Sequence, residues 1–177
     1  MNLSIVLYGS SVLRKHADEI TAEDKHRQFV KNLFDTLKNN EGIGLAGPQI
    51  GILKRIFVIS TLQLPKNDKS IEKFEQAFIN PQIIWQSPKM NIYKEGCLSI
   101  PGIFENVSRP EKIKVRYNDL DFNIIEEDIS GLKARIFQHE YDHLNGILFI
   151  DKIGTLKRIL LSSKLNQIAK SFKNLKT

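Results

Sequence analysis

His139-Glu140-Tyr141-Asp142-His143 spells HExxH, the stretch of this 177-residue chain with the most specific chemistry. On a helix, residues four apart project from one face, so His139 and His143 can grip a single metal ion. Glu140 stands about 100° further round the helix. That is close to such an ion without binding it, where a carboxylate can act as base on activated water. Leu132 and Ile136 share the histidine face, which directs the imidazoles into the protein. The competing reading is a pair of buried histidines held by ordinary hydrogen bonds.

Two imidazoles leave a catalytic centre short of its third protein ligand. Downstream, Phe149 stands where a metzincin has histidine. Glu140 is the last glutamate, and Asp151 is the only acidic residue beyond the motif. Upstream, His16 and His26 sit among polar residues. Cys97, the only cysteine, lies in Glu95-Gly96-Cys97-Leu98-Ser99-Ile100-Pro101. A lone cysteine is usually a small buried hydrophobe, but beside a two-histidine site lacking a partner it becomes a candidate thiolate ligand. Gly96 permits close backbone approach there.

Gly42-Ile43-Gly44-Leu45-Ala46-Gly47 matches GxGxxG, with Asp68 21 residues after Gly47. The dinucleotide fingerprint needs a strand before it and a helix after it. Here the order is reversed, so the better reading is a glycine loop whose backbone lies against a substrate. Pro48 stiffens its exit, and Gln49 offers an amide donor. A plain helix-to-strand turn is the alternative, although three glycines followed by Pro48-Gln49 exceed what a turn requires.

These residues need elements to hold them. Thr21, with Asp24 three positions on, reads as the N-cap of a helix in which Phe29, Val30, Leu33, Phe34 and Leu37 recur at helical spacing, ending at 39–42. Residues 52–59 read as a strand and 65–70 as a loop. Residues 77–79 and 83–85 read as short strands broken at Asn80-Pro81. Residues 112–117 alternate as a half-exposed strand, with 122–125 as its hairpin partner. A helix runs from Ser130 to about Asn145, with Gly146 at C′. Leu156, Ile159, Leu160, Leu165, Ile168 and Phe172 mark a final amphipathic helix, docked by its leucine face with its lysines in water. Helix, strands, helix, helix is the order of an α+β fold rather than of an alternating parallel one.

The length suits one domain over residues 1–177. With 41% apolar and 26% charged residues, the composition excludes disordered, collagen-like and disulfide-scaffold classes. No apolar run nears the ~20 residues of a membrane helix. The first residues show no basic n-region of a secretory signal, and a single cysteine suits a reducing compartment. The net charge of +6 is carried by Lys157, Arg158, Lys164, Lys170, Lys173 and Lys176, leaving the rest of the chain neutral. That excludes a globally basic DNA binder and leaves a local electrostatic contact near the C-terminus.

Taken in order, Gly42-Ile43-Gly44-Leu45-Ala46-Gly47-Pro48-Gln49, Glu95-Gly96-Cys97-Leu98-Ser99 and Gln138-His139-Glu140-Tyr141-Asp142-His143 resemble the three signature motifs of peptide deformylases. The spacing is similar too, and the likeness runs from Leu7 to about Leu165. Gly47 departs from it, standing where the family usually has alanine, a change expected to loosen the loop. Residues 64–75 look like a surface insertion.

The resemblance implies a cytoplasmic, metal-dependent hydrolase of protein biosynthesis. It would remove the formyl group from the N-terminal formyl-methionine of new polypeptides, releasing formate. The implied fold is α+β, with antiparallel sheets around the HExxH helix. Cys97, His139 and His143 would hold one divalent ion, Fe2+ in many native members, with Zn2+, Ni2+ or Co2+ also suited to these donors. Glu140 would be the acid/base, and the Gln49 side chain and Leu98 backbone N–H would be oxyanion donors. Ile43, Gly44 and Gly96 would contact substrate, while Tyr93, Leu132 and Ile136 would form a methionine pocket, with core packing as the alternative. The implied partners are the formyl-Met nascent peptide and, through the basic C-terminal helix, the ribosome, with neither membrane nor DNA. Two other classes compete. A metallopeptidase cutting internal bonds is disfavoured by the missing downstream ligand. A silent homologue that only binds peptide or ribosome is disfavoured because all four chemical positions hold competent residues.

Overall fold

The computed structural model of the chain describes residues 3–65 and 72–174. Its sheet is organised about β2 (Ile56–Ser60), buried at every position, which is why these residues run apolar without alternation. Phe57 and Ile59 belong to one apolar cluster, Ile56 and Val58 to another. The cluster with Ile56 and Val58 is completed by α1 (His26–Asn39), which buries Val30, Leu33 and Leu37. The cluster with Phe57 and Ile59 is completed by α2 (Gly131–Leu144), through Ala134, Ile136, Phe137 and Leu144. The two helices therefore cover opposite faces of one sheet. Phe57, Phe78 and Phe137 bolt α2 to it, with ring centroids 5.0, 5.0 and 5.1 Å apart.

The remaining strands are β1 (Gly44–Ala46), β3 (Glu75–Gln86), β4 (Met90–Cys97), β5 (Ile100–Pro110), β6 (Lys112–Asn118) and β7 (Ile124–Ser130). The five-stranded sheet has the order β1-β2-β3-β6-β7, antiparallel throughout, and β4-β5 form a separate antiparallel hairpin. The architecture is α+β, with α2 and its HExxH residues packed on the five-stranded sheet. A third apolar cluster joins Leu13, Ile103, Val107, Phe149 and Ile153 to Leu165 of α3 (Thr155–Asn174).

Several local expectations change. Thr21 does not cap α1: its N–H donates to Asp24 Oδ2 at 2.8 Å in a separate turn, and the helix begins at His26 after Lys25. The strand expected from 52 starts at Ile56, because Arg55 N–H and Asp18 N–H are spent on pairing the 53–55 segment with Asp18. Asn80-Pro81 does not break β3. The strand continues through a register shift between Ile79 and Gln82, with Asn80 at φ 49°. Residues 122–125 do return as partner to β6, though the strand runs on to Ser130. Gly146, at φ 70°, follows α2 where C′ was expected. On α3, Leu165 is 4% exposed, but Leu156, Ile159 and Leu160 are 72%, 62% and 75% exposed, so only part of the leucine face docks. Residues 66–70 of the expected loop lie outside the described residues.

Candidate metal centre

His139 and His143 are one turn apart on α2, and Cys97 is the last residue of β4, delivered to them by the hairpin. One ligand atom from each lies within 4.8 Å of the others, and Cys97 Sγ is 3.3 Å from His143 Nε2. Among the described residues this is the group of three His, Cys, Asp or Glu that could hold a metal. His16 is exposed. The ring nitrogens of His26 face the carbonyls of Asp24 and Leu120, each at 3.1 Å. Asp151 pairs with Arg14 and accepts from Leu148 N–H.

A buried polar lattice aligns His139 and ties its helix to the strand that carries Cys97. Glu95 Oε2 sits 3.0 Å from His139 Nδ1, which leaves Nε2 for a metal and fixes the ring. Arg109 donates to both Glu95 oxygens at 2.6 and 2.8 Å, and to Asp142 Oδ2 at 2.6 Å. Arg135 donates to Glu95 Oε1 at 2.7 Å. Burial pushes the Glu95 carboxyl up, but the hydrogen bonds and charges of Arg109 and His139 hold it well below the usual carboxylate range.

The histidines split. Burial disfavours charge on both. On His139 the hydrogen bonds with Cys97 and Glu95 outweigh burial and raise it to about 10, whereas His143, buried beside that charge, is pushed well down. One sulfur and two imidazole nitrogens within 4.8 Å of one another are a donor set suited to a divalent ion, so the residues fit one.

Glu140 is 3% exposed, and its Oε2 has no hydrogen-bond partner. Burial lifts its carboxyl to about 7, the range in which an acid/base group both takes and returns a proton near neutrality. Gly44 packs directly on it. A β-carbon at Gly44 would collide with Glu140 Oε1 and stand 2.8 Å from Ile136 Cγ2. Gln49, 1% exposed, is fixed by Ala46 N–H donating to its Oε1 at 2.8 Å. Its Nε2 then points to Cys97 Sγ at 3.4 Å and Ser99 Oγ at 3.3 Å. The turn that carries Gln49 corrects the expectation for Gly47. A methyl there would come within 2.6 Å of the Ile52 carbonyl oxygen and 2.9 Å of that of Lys54, so the glycine tightens the loop instead of loosening it.

A cleft of about 620 Å³ opens over this cluster. Glu140, Gln49, Cys97, Leu98 and His139 line it, as do Ile43, Gly44, Gly96, Tyr93, Leu132 and Ile136. His143 lies behind it. Ile136 is buried, whereas Tyr93 is 46% exposed, its ring 5.2 Å under the Arg135 guanidinium. Sequence reasoning missed the partners of Glu95. Glu95 and Asp142 sit inside motifs, but nothing local marks Arg109 or Arg135 as their counter-ions. It also missed Phe104, an exposed ring on the cleft wall.

Comparison with known proteins points to one family. The family model described as polypeptide deformylase matches residues 2–159. A peptide deformylase of Thermotoga neapolitana is 42% identical over 166 residues, 93% of this chain and 95% of that protein. A crystal structure of peptide deformylase from Plasmodium falciparum superposes with a TM-score of 0.88 at 37% identity, covering 98% of this chain and 99% of that one. A Met-Ala-Ser-bound peptide deformylase from Acinetobacter baumannii gives 0.80 at 32% identity, covering 86% and 99%.

Proposed function

The chain belongs to the polypeptide deformylase family, and on that premise we propose that Cys97, His139 and His143 hold its divalent ion, with Glu140 as acid/base. The protein is a hydrolase that removes the formyl group from the N-terminal formyl-methionine of newly made polypeptides, releasing formate. The observation that carries the site assignment is the convergence of one sulfur and two ring nitrogens within 4.8 Å beside a buried carboxylate.

Held by Cys97, His139 and His143, a divalent ion would supply Lewis acidity for the hydrolysis. Glu140 takes the attacking water's proton at its unpartnered oxygen and returns it to the leaving amine. The Gln49 side-chain N–H and the Leu98 backbone N–H receive the negative charge that develops on the formyl oxygen. Because the formyl carbon bears only hydrogen, the attack is unhindered.

The substrate enters as an added strand. β1 is an edge of its sheet, so the backbone of Ile43 and Gly44 on one side, and of Gly96 on the other, offers main-chain partners to an extended peptide. Leu132, Ile136 and Tyr93 supply an apolar recess for the methionine. The Met-Ala-Ser bound to the Acinetobacter protein supports this reading. Residues 1–177 act as one catalytic domain, a reading supported by α3 packing on Leu13 and the β4-β5 hairpin.

Fe2+ is the native ion in this reading, although the same donors accept Zn2+, Ni2+ or Co2+. The single cysteine, kept as a free thiol, suits a reducing compartment, which supports a cytoplasmic location. The ribosome contact is supported by the basic residues of α3 and its exposed Leu156, Ile159 and Leu160. Two of those basic groups are already paired, Lys157 with Glu105 and Arg158 with Asp151. Lys164→Glu with Lys170→Glu should therefore weaken salt-dependent ribosome binding, and unchanged affinity removes the contact. The function itself is tested by metal analysis and formate release from formyl-Met-peptide with anaerobically purified protein. One ion per chain with turnover supports the assignment, and no formate overturns it.

A further inference from the structure

We propose that Phe104 reads the residue following the formyl-methionine, favouring an aromatic or large apolar side chain at that second position. The inference rests on the cleft being the peptide site. Phe104 is 59% exposed and lines the cleft. It pairs with Gly96 across the β4-β5 hairpin, and its ring covers the Gly96 backbone so closely that a β-carbon there would meet Cε1 and Cδ1.

Strand alternation decides which substrate residue it meets. Glu95, one residue before Gly96, points to the opposite face of the hairpin, where it bonds Arg109, Arg135 and His139. That is the α2 side, and α2 also supplies Leu132 and Ile136 to the cleft. Phe104 shares its face with Met90 and Ile92, 50% and 68% exposed, so it looks away from α2. An extended peptide alternates in the same way at about 3.3 Å per residue. With the methionine directed toward α2, the next side chain emerges on the outer face, above Gly96 and against the Phe104 ring. Seated on the Gly96 backbone, the Phe104 ring turns its other face to the cleft, where the two side chains can lie face to edge.

The test is a series of formyl-Met-Xaa-Ser peptides with Xaa as Phe, Leu, Ala or Asp, read as kcat/KM for formate release. The native enzyme should prefer Phe over Ala by roughly three- to ten-fold, with the difference in KM. Phe104→Ala should bring that ratio to about one and Phe104→Tyr should keep it. Ile92→Ala, on the same face but outside the cleft, should also keep it. A native enzyme with no preference, or a preference that survives in Phe104→Ala, overturns the proposal. If no peptide releases formate, the reading of the cleft falls and this proposal with it.

Discussion

Glu140 is buried on the cleft wall, and one of its two oxygens accepts no hydrogen bond from any protein group. Glu140→Gln should leave one ion per chain by elemental analysis while lowering kcat by about 10²–10⁴-fold. A variant that keeps its turnover removes Glu140 from the acid/base role. Gly44→Ala tests the same carboxylate from its neighbour. The added methyl collides with Oε1, and displacing a catalytic group by about an ångström costs on the order of 10²-fold. The expected result is low kcat with unchanged metal content. The histidines and Glu140 were legible in sequence because a helix turns contiguous spacing into shared direction. The contact of Gly44 with Glu140 was not, because it joins an edge strand to a helix far along the chain.

At the scale of elements, Arg109 ties the hairpin that carries Cys97 to the helix that carries the histidines. Arg109→Met would remove the buried cation shared by Glu95 and Asp142, leaving Glu95 to Arg135 and His139 and Asp142 to Lys152, a loss of about 3 kcal/mol by denaturant unfolding. Glu95 makes the same lattice pH-sensitive. Its folded pKa lies below the unfolded value of about 4.3, so its stabilisation is complete above that pH and drains away as acid approaches the lower, folded value. Glu95→Gln should flatten the acid limb of a stability-against-pH curve, and an unchanged limb would show that the lattice does not set it. This hairpin escaped sequence reading for a physical reason. Its inner face buries Glu95 and Arg109 while its outer face exposes Ile92 and Phe104, the inverse of ordinary strand alternation. α2 and β6 were legible because their patterns obey the ordinary rule.

Across the whole molecule, the α+β order was readable because one helix, several β-branched runs and two further helices follow one another without alternation. The strand order was not, since β3 pairs with β6 across the intervening hairpin. The basic C-terminal run was legible as a helix, but which leucines dock depended on Leu13, Ile103 and Phe149, distant residues that meet Leu165 only in the fold. The Arg109 tether has a consequence at this scale. Glu95 holds the His139 ring, and Arg109 joins the hairpin of Cys97 to the helix of both histidines, so the fold should form without waiting for its ion. Protein stripped by a chelator should still melt in one cooperative transition, at a temperature that rises with free ion as mass action requires. Broad, non-cooperative melting of the stripped protein would contradict that. If the transition stays sharp, a single preparation can be emptied and refilled with Fe2+, Zn2+, Ni2+ and Co2+ in turn, and the metals compared on an unchanged scaffold.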